Sequence, residues 1–263
     1  VLVGLSGSGK STIATQIANE NPNTIIVSSD AIREELTGNY EDQEHNEEVF
    51  KIFHDRIRKN LENKNNVIAD ATNLTMKSRR AIMMKVNGLE VHKVCVIIPK
   101  PFEQCKIDNK NREHPVPNEV LDKQIRRFQI PFYEENFDEI QINVFHKENR
   151  LTLGEMFSMM EGFDQKNPHH TMDLYTHSFH TYDLFSSKCY PAKYNIAALL
   201  HDFGKMYCQT FDENGIAHYY EHHAIGSYLI LENLSGIFYE DISDICFLIN
   251  YHMMPFNWDT DKA

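Results

Sequence analysis

The chain has 263 residues, 41% of them hydrophobic, and its 38 acidic side chains outnumber 26 basic ones for a net charge of −12. That length can bury a large core in one or two domains. No apolar stretch approaches the twenty residues of a membrane span, and no global basic field attracts nucleic acid, so any polynucleotide must be held by a local positive cluster.

In chain order, β-branched runs at Val1–Gly4, Thr24–Ser28, Asn66–Asp70, His92–Ile98 and Gln141–Phe145 alternate with helical patterns. The clearest of those are Glu44–Leu61, Lys77–Val86, Phe102–Lys110 and Asn118–Phe128. Strands separated by helices predict a parallel sheet with crossovers, an α/β domain. Beyond it no convincing strand is visible. Leu174–Phe185, Lys193–Phe203, His222–Leu234 and Tyr239–Tyr251 carry apolar residues at helical spacing, which predicts an all-α bundle. The expected division is 1–148 and 149–263, with the join near Lys147–Leu153. Five scattered cysteines (Cys95, Cys105, Cys189, Cys208, Cys246) form no C-x-x-C. They argue against a disulfide framework or thiolate zinc site and for a reducing, cytoplasmic setting. No signal peptide is visible, and a start at Val1 rather than Met leads us to expect a trimmed fragment.

Residues 4–11 read G-L-S-G-S-G-K-S directly after an apolar run, a complete phosphate-binding loop. Glycines let backbone amides turn inward around phosphate oxygens, lysine neutralises the β/γ-phosphates and the hydroxyl coordinates Mg²⁺ at a helix N-terminus. The chain is therefore expected to bind ATP and Mg²⁺ through Gly4, Ser6, Gly7, Ser8, Gly9, Lys10, Ser11 and Thr12. Asp30 and Asp70 end strands two and three, where open α/β sheets bind ligands. Asp30 suits a general base for an acceptor hydroxyl or, alternatively, an N-cap for a helix beginning at Ala31. Asp70 suits the Mg²⁺ water shell, the orientation of the loop, or an ordinary strand-end turn. Phosphoryl transfer also needs positive charge on the moving phosphate, and Lys110, Arg112, Arg126 and Arg127 are the candidates, with a solvated charged helix face as the alternative.

G-x-S-G-S-G-K-S, then S-S-D-x-x-R, D-A-T-N with Arg79-Arg80 behind it, and N-R-x-x-x-V-P together resemble the phage-type polynucleotide kinase family over roughly residues 1–145. The resemblance implies Asp30 as general base for a nucleic-acid 5′-hydroxyl, Arg33 on the substrate phosphate and Arg112, in a lid, on the transferring phosphate. The lid departs from that family at Asp108, where an arginine is usual, and Lys106 or Lys110 is the candidate substitute. P-loop kinases of small molecules share most of the pattern.

Histidine is the compositional outlier, with five of fourteen in the first 168 residues and nine in the last 95. His177, His201-Asp202, His222 and His252 lie in or beside apolar helical patterns, so they can converge on a bundle interior as ligands for divalent first-row metals. Asp202 can bridge two ions, and a bound water then becomes a nucleophile near neutral pH. Lys205 can clamp a phosphate. L-L-H-D-F-G-K, with N-P-H-H-x-x-D-L-Y-T-H before it and H-H-A-I-G and Y-H-M-x-P after, resembles the HD phosphohydrolase superfamily, closest to the HD modules of tRNA nucleotidyltransferases. The resemblance implies His177, His201, Asp202, His222 and His252 as ligands for one or two transition metals (Mn, Fe, Co, Ni or Zn), His222 and His252 serving the second ion. His169, His170, His180, His218 and His223 are expected bystanders. The family's final aspartate is expected beyond Ala263, Asp259 and Asp261 being the alternatives.

Together the two halves predict an end-healing enzyme that phosphorylates 5′-hydroxyls and removes 3′-phosphates or 2′,3′-cyclic phosphates from RNA or DNA ends, leaving sealing to a separate ligase. The alternatives are a metabolite kinase coupled to an HD nucleotidase or cyclic-nucleotide phosphodiesterase, and an ATP-dependent regulatory switch.

Overall fold

The computed structural model describes residues 1–39, 42, 44–143, 150–168 and 171–254. The chain divides into two units, Val1–Gln124 with Pro131–Phe145, and Ile125–Ile130 with His146–Ala263.

The first unit is built on two parallel ladders. Strand β1 (Leu2–Val3) pairs with β4 (Val94–Ile97), which pairs with β5 (Glu139–Ile142), while β2 (Thr24–Ser28) runs parallel to β3 (Asn66–Asp70). Two bonds set the end of β3 beside β1: Gly4 N–H donates to the Thr72 carbonyl at 3.1 Å, and the Asn73 amide donates to the Leu2 carbonyl at 2.8 Å. Each crossover is helical, as parallel strands require. These helices are α1 (Lys10–Glu20), α2 (Ser29–Thr37), α3 (Asn46–Glu62), α4 (Met76–Lys85), α5 (Phe102–Lys110) and α6 (Asn118–Ile125). Leu2, Ile13, Ala14, Ile68 and Ile98 pack into one core cluster that seats α1 on the sheet. A fully buried ion pair braces α4: Arg79 donates to both Glu135 carboxylate oxygens, at 2.8 and 2.6 Å, and to the Asn73 carbonyl at 3.0 Å.

In the second unit α7 (Leu153–Met160), α8 (Leu174–Ser186), α9 (Ala192–Leu200), α10 (His222–Leu234) and α11 (Ile242–Tyr251) surround a core centred on α10. That helix is apolar nearly all round, and Ala224 through Leu234 are all buried, as befits a central helix. It approaches the 3₁₀ turn Phe203–Tyr207 so closely that a Cβ on Gly204 would stand 2.1 Å from the His222 carbonyl oxygen. Only glycine fits there. No helix among the described residues is long and apolar enough to cross a membrane.

Four expectations need correction. The second unit does contain strands, the two-residue β6 (Thr210–Phe211) and β7 (Ala217–His218), paired antiparallel. Their turn is built by the Asp212 carboxylate, which accepts from Asn214 and Ile216 N–H, and by Gly215 at φ 75°. The predicted helix Asn118–Phe128 stops at Ile125, because beyond it the Asn250 side chain takes the backbone: it donates to the Phe128 carbonyl at 3.0 Å and accepts from Ile130 N–H at 2.7 Å. Strand β5 begins at Glu139, ahead of the expected Gln141, because its register is set by Val94 opposite Glu139. Finally, Asp30 is not an N-cap: Ser28 caps α2, accepting from Ala31 N–H at 3.4 Å, and Asp30 lies in the first turn. The expected join at Lys147–Leu153 falls partly outside the described residues.

Candidate phosphate and metal sites

The P-loop leaves β1 and feeds α1, which starts at Lys10 with Gly9 at φ 94° before it. Gly7, at φ 79°, cannot take a side chain, since a Cβ would stand 2.3 Å from the Cys105 carbonyl oxygen. Lys10 is buried and donates Nζ to the Leu5 carbonyl at 2.8 Å. Burial pushes its ammonium pKa down, against the pull of the Asp70 carboxylate. Ser11 donates its hydroxyl to Asp70 at 2.9 Å. Burial raises the Asp70 carboxyl while Lys10 and the Ser11 bond oppose it. Hydroxyl and carboxylate at this spacing suit a hydrated Mg²⁺. Gln124 grips the loop from α6, accepting from Ser6 N–H at 2.8 Å and donating to its hydroxyl at 3.0 Å. The buried Ser8 hydroxyl has no hydrogen-bond partner in the protein, and Thr12 stands exposed in the first turn of α1.

Asp30 is 62% exposed and lies between two guanidinium groups, Arg33 Nη1 at 3.1 Å and Arg112 Nη2 at 3.7 Å. Arg33 is buried, its Nη2 donating to Asn46 Oδ1 at 2.8 Å. The structure thus brings Asp30, Arg33 and Arg112 together within one unit. Asp108 pairs with Lys100, Lys106 with Glu103 and Asp122, and Lys110 closes α5 as an exposed residue. Arg126 and Arg127 belong to the second unit, where Arg126 donates to the Tyr220 carbonyl at 3.0 Å.

In the second unit, Asp202 is buried and both its oxygens are surrounded by imidazoles. His177 Nε2 and His201 Nε2 lie 3.2 and 3.1 Å from one oxygen, and His222 Nε2 and His252 Nε2 lie 3.3 and 3.7 Å from the other. His177 comes from α8, His222 opens α10 and His252 caps α11, while His201-Asp202 follow α9. The result is two groups with metal-ligand spacing that share Asp202, namely His177-His201-Asp202 and Asp202-His222-His252.

The tautomers test whether a cation fits. Nδ1 of His201, His222 and His252 each lies 2.8 Å from the backbone carbonyl three residues earlier. A carbonyl can only accept, so each Nδ1 carries a proton, and in the neutral ring each Nε2 presents a lone pair. The Nε2 atoms of His222 and His252 face one another at 3.1 Å. Two lone pairs at that distance need a proton or a metal ion between them and the carboxylate, so the donor set fits one or two imidazole-favouring divalent ions. Charge coupling is strong. Burial alone would raise Asp202, yet His201, His177 and His222 hold its carboxyl well below the usual range. Burial opposes charge on His201, but Asp202 lifts its pKa above the ordinary value. Burial pushes His252 down to about 4.

Lys205 donates to Asp202 at 2.8 Å and to Gln165 Oε1 at 2.9 Å, so it faces the cluster already engaged. Sequence reasoning missed Gln165 and Tyr219, whose hydroxyl donates to the Gln165 carbonyl, as it missed Gln124 and Lys100. None of them stands in a motif, and only the fold reveals their neighbours. His223 stays outside both metal groups, its imidazole pushed down by burial and by His222. His218 faces Asp212 at 3.3 Å, and His180 is exposed. His169, His170, Asp259 and Asp261 lie outside the described residues.

Residues 1–131 match a family described as an AAA domain. The N-terminal unit is thus a P-loop, kinase-like α/β domain. Among curated proteins, the chain is 30% identical over 135 residues to the L-seryl-tRNA(Sec) kinase of Methanococcus maripaludis, a stretch covering 50% of this chain and 52% of that one. The chain spans about half the length of that relative.

Proposed function

We propose that the chain is a bifunctional nucleic-acid end-healing enzyme, an ATP-dependent 5′-hydroxyl kinase joined to a metal-dependent HD phosphohydrolase acting on 3′-phosphate or 2′,3′-cyclic phosphate ends. The observation that carries this reading is the presence in one chain of two phosphate chemistries: a P-loop with a carboxylate between two arginines, and an Asp202-centred histidine cluster.

In the kinase half, Lys10 neutralises the β/γ-phosphates and the P-loop amides orient them. Asp30, solvent-exposed between its arginines, takes the proton of the acceptor hydroxyl as that oxygen attacks the γ-phosphorus, the P–O bond to the β-phosphate breaks and ADP leaves. Arg112, 3.7 Å from Asp30, spreads positive charge over the transferring phosphoryl group, and Arg33 engages the acceptor's own phosphate. In the HD half, His177, His201, Asp202, His222 and His252 would hold the metal, and Lys205 would meet the substrate phosphate. Bound metal supplies a water acidic enough to act as a nucleophile near neutral pH.

The test is to incubate the protein with ATP, Mg²⁺ and an oligonucleotide bearing 5′-hydroxyl and 3′-phosphate ends, with and without added Mn²⁺. Phosphate gained at one end and lost at the other supports the reading. Inertness at both ends sinks it. The similarity to L-seryl-tRNA(Sec) kinase favours a second reading, in which the acceptor hydroxyl is not a polynucleotide 5′ end. Transfer to a small hydroxylated acceptor or a charged tRNA, without transfer to the oligonucleotide, would select it.

A further inference from the structure

The turn between β4 and α5 sets Lys100 against the P-loop. Its ammonium donates to the Gly7 carbonyl at 3.3 Å and pairs with Asp108 on α5. One helical turn earlier, the Gln104 amide donates to the other oxygen of that carboxylate at 2.6 Å. The Lys100 side chain is only 16% exposed. Helix α5 also limits Gly7 sterically, since a Cβ there would meet Cys105 O at 2.3 Å and Asn109 N at 3.1 Å.

Gly7 C=O and Ser8 N–H belong to one planar trans peptide, so they point in opposite directions. Anchoring the carbonyl on Lys100 therefore aims Ser8 N–H at the loop interior. There it donates to the Leu5 carbonyl at 3.1 Å, the same oxygen that receives Lys10 at 2.8 Å. Phosphate oxygens that displace Leu5 from these two donors find both already aimed.

We propose that Lys100, held by Asp108, is a positioning residue for nucleotide phosphates, fixing the Gly7–Ser8 peptide so that its N–H faces them. This rests on the P-loop reading above and deepens it. Lys100 acts on the loop and not on the acceptor, so its loss appears in nucleotide affinity and KM for ATP, with kcat nearly unchanged.

Titration calorimetry with Mg·ADP on the full chain tests this. Lys100→Met, which keeps the apolar stem, and Asp108→Asn should each weaken binding about tenfold, the scale of one charged hydrogen bond. The double variant should be no weaker than either single one, because the pair acts as a unit. Lys100→Arg should recover most of the affinity, and thermal melting should show all four folded. Tighter binding by Asp108→Asn would overturn the proposal, making Lys100 a direct phosphate contact that Asp108 restrains. Additive losses, or unchanged affinity in Lys100→Met, would overturn it too. Lys10→Ala separates the levels: if it bound Mg·ADP normally, the P-loop reading itself would fail. Should Lys100→Met not fold, Asp108→Asn against Asp108→Glu carries the same contrast.

Discussion

Replacing Glu135 with glutamine leaves Arg79 as a buried cation without a counter-charge. Both side chains are 0% exposed, and the guanidinium spends two donors on the carboxylate and a third on the Asn73 carbonyl. Breaking one side of such a pair costs about 3–5 kcal/mol, whereas replacing both partners with apolar groups of similar volume is often neutral. A unit of this size loses roughly 3 °C of Tm per kcal/mol. Calorimetric melting should therefore show the first unit's transition about 10–15 °C lower in Glu135→Gln. An Arg79→Met/Glu135→Leu double variant should recover most of that loss. Nucleotide binding should weaken with the single change as well, because Asn73 donates to the Leu2 carbonyl at 2.8 Å, directly before the P-loop. A Glu135→Gln protein within about 1 kcal/mol of the parent, or a double variant no better than the single, would refute the reasoning.

Lys10→Ala should abolish kinase turnover while metal binding in the second unit persists. Residual turnover within about tenfold of the parent, measured by labelled-phosphate transfer, would count against the P-loop assignment. Asp30→Asn should lower turnover about a hundredfold or more with ATP affinity nearly intact. Ser28→Ala should do the reverse, costing about 1 kcal/mol of stability and little activity; equal kinetic losses in both would remove the distinction between base and cap. Asp202→Ala should empty both metal groups, as read by elemental analysis after Mn²⁺ loading, while His223→Ala should keep its metal. Chelation of the loaded protein should lower the melting temperature of the second unit, since the lone pairs of His222 and His252 lose what separates them; an unchanged transition would argue that no ion resides there.

Much of this was legible in the sequence because it lay in local patterns. The glycine-rich loop and the strands Thr24–Ser28 and Asn66–Asp70 declare themselves by composition, and Phe102–Lys110 and His222–Leu234 by periodicity; all four elements have the bounds their patterns suggested. The four histidines that the structure gathers around Asp202 are ones the sequence placed in or beside apolar helical patterns. What escaped was decided at long range. The end of α6 depends on Asn250, 120 residues beyond Ile130, and no window around Ile125 contains that information. Ser28 displaced Asp30 as cap because α2 already starts at Ser29, two residues before the Ala31 at which an Asp-capped helix would begin. The hairpin β6–β7 did carry a local signal, Asn214-Gly215, but its strands are two residues long and fall below any periodicity.

Segment 125–130 belongs to the second unit, although residues on both sides of it belong to the first. No single cut therefore divides the polypeptide into two finished pieces. A chain stopped at Phe145 would retain Phe128 without the Tyr228 ring that meets it edge-on at 5.1 Å, and Ile130 without Asn250. Such a fragment would display a greasy spur close to its C-terminus. During synthesis the same spur must wait for more than a hundred further residues, a delay in which it is a natural target for chaperones or for a second copy of the chain.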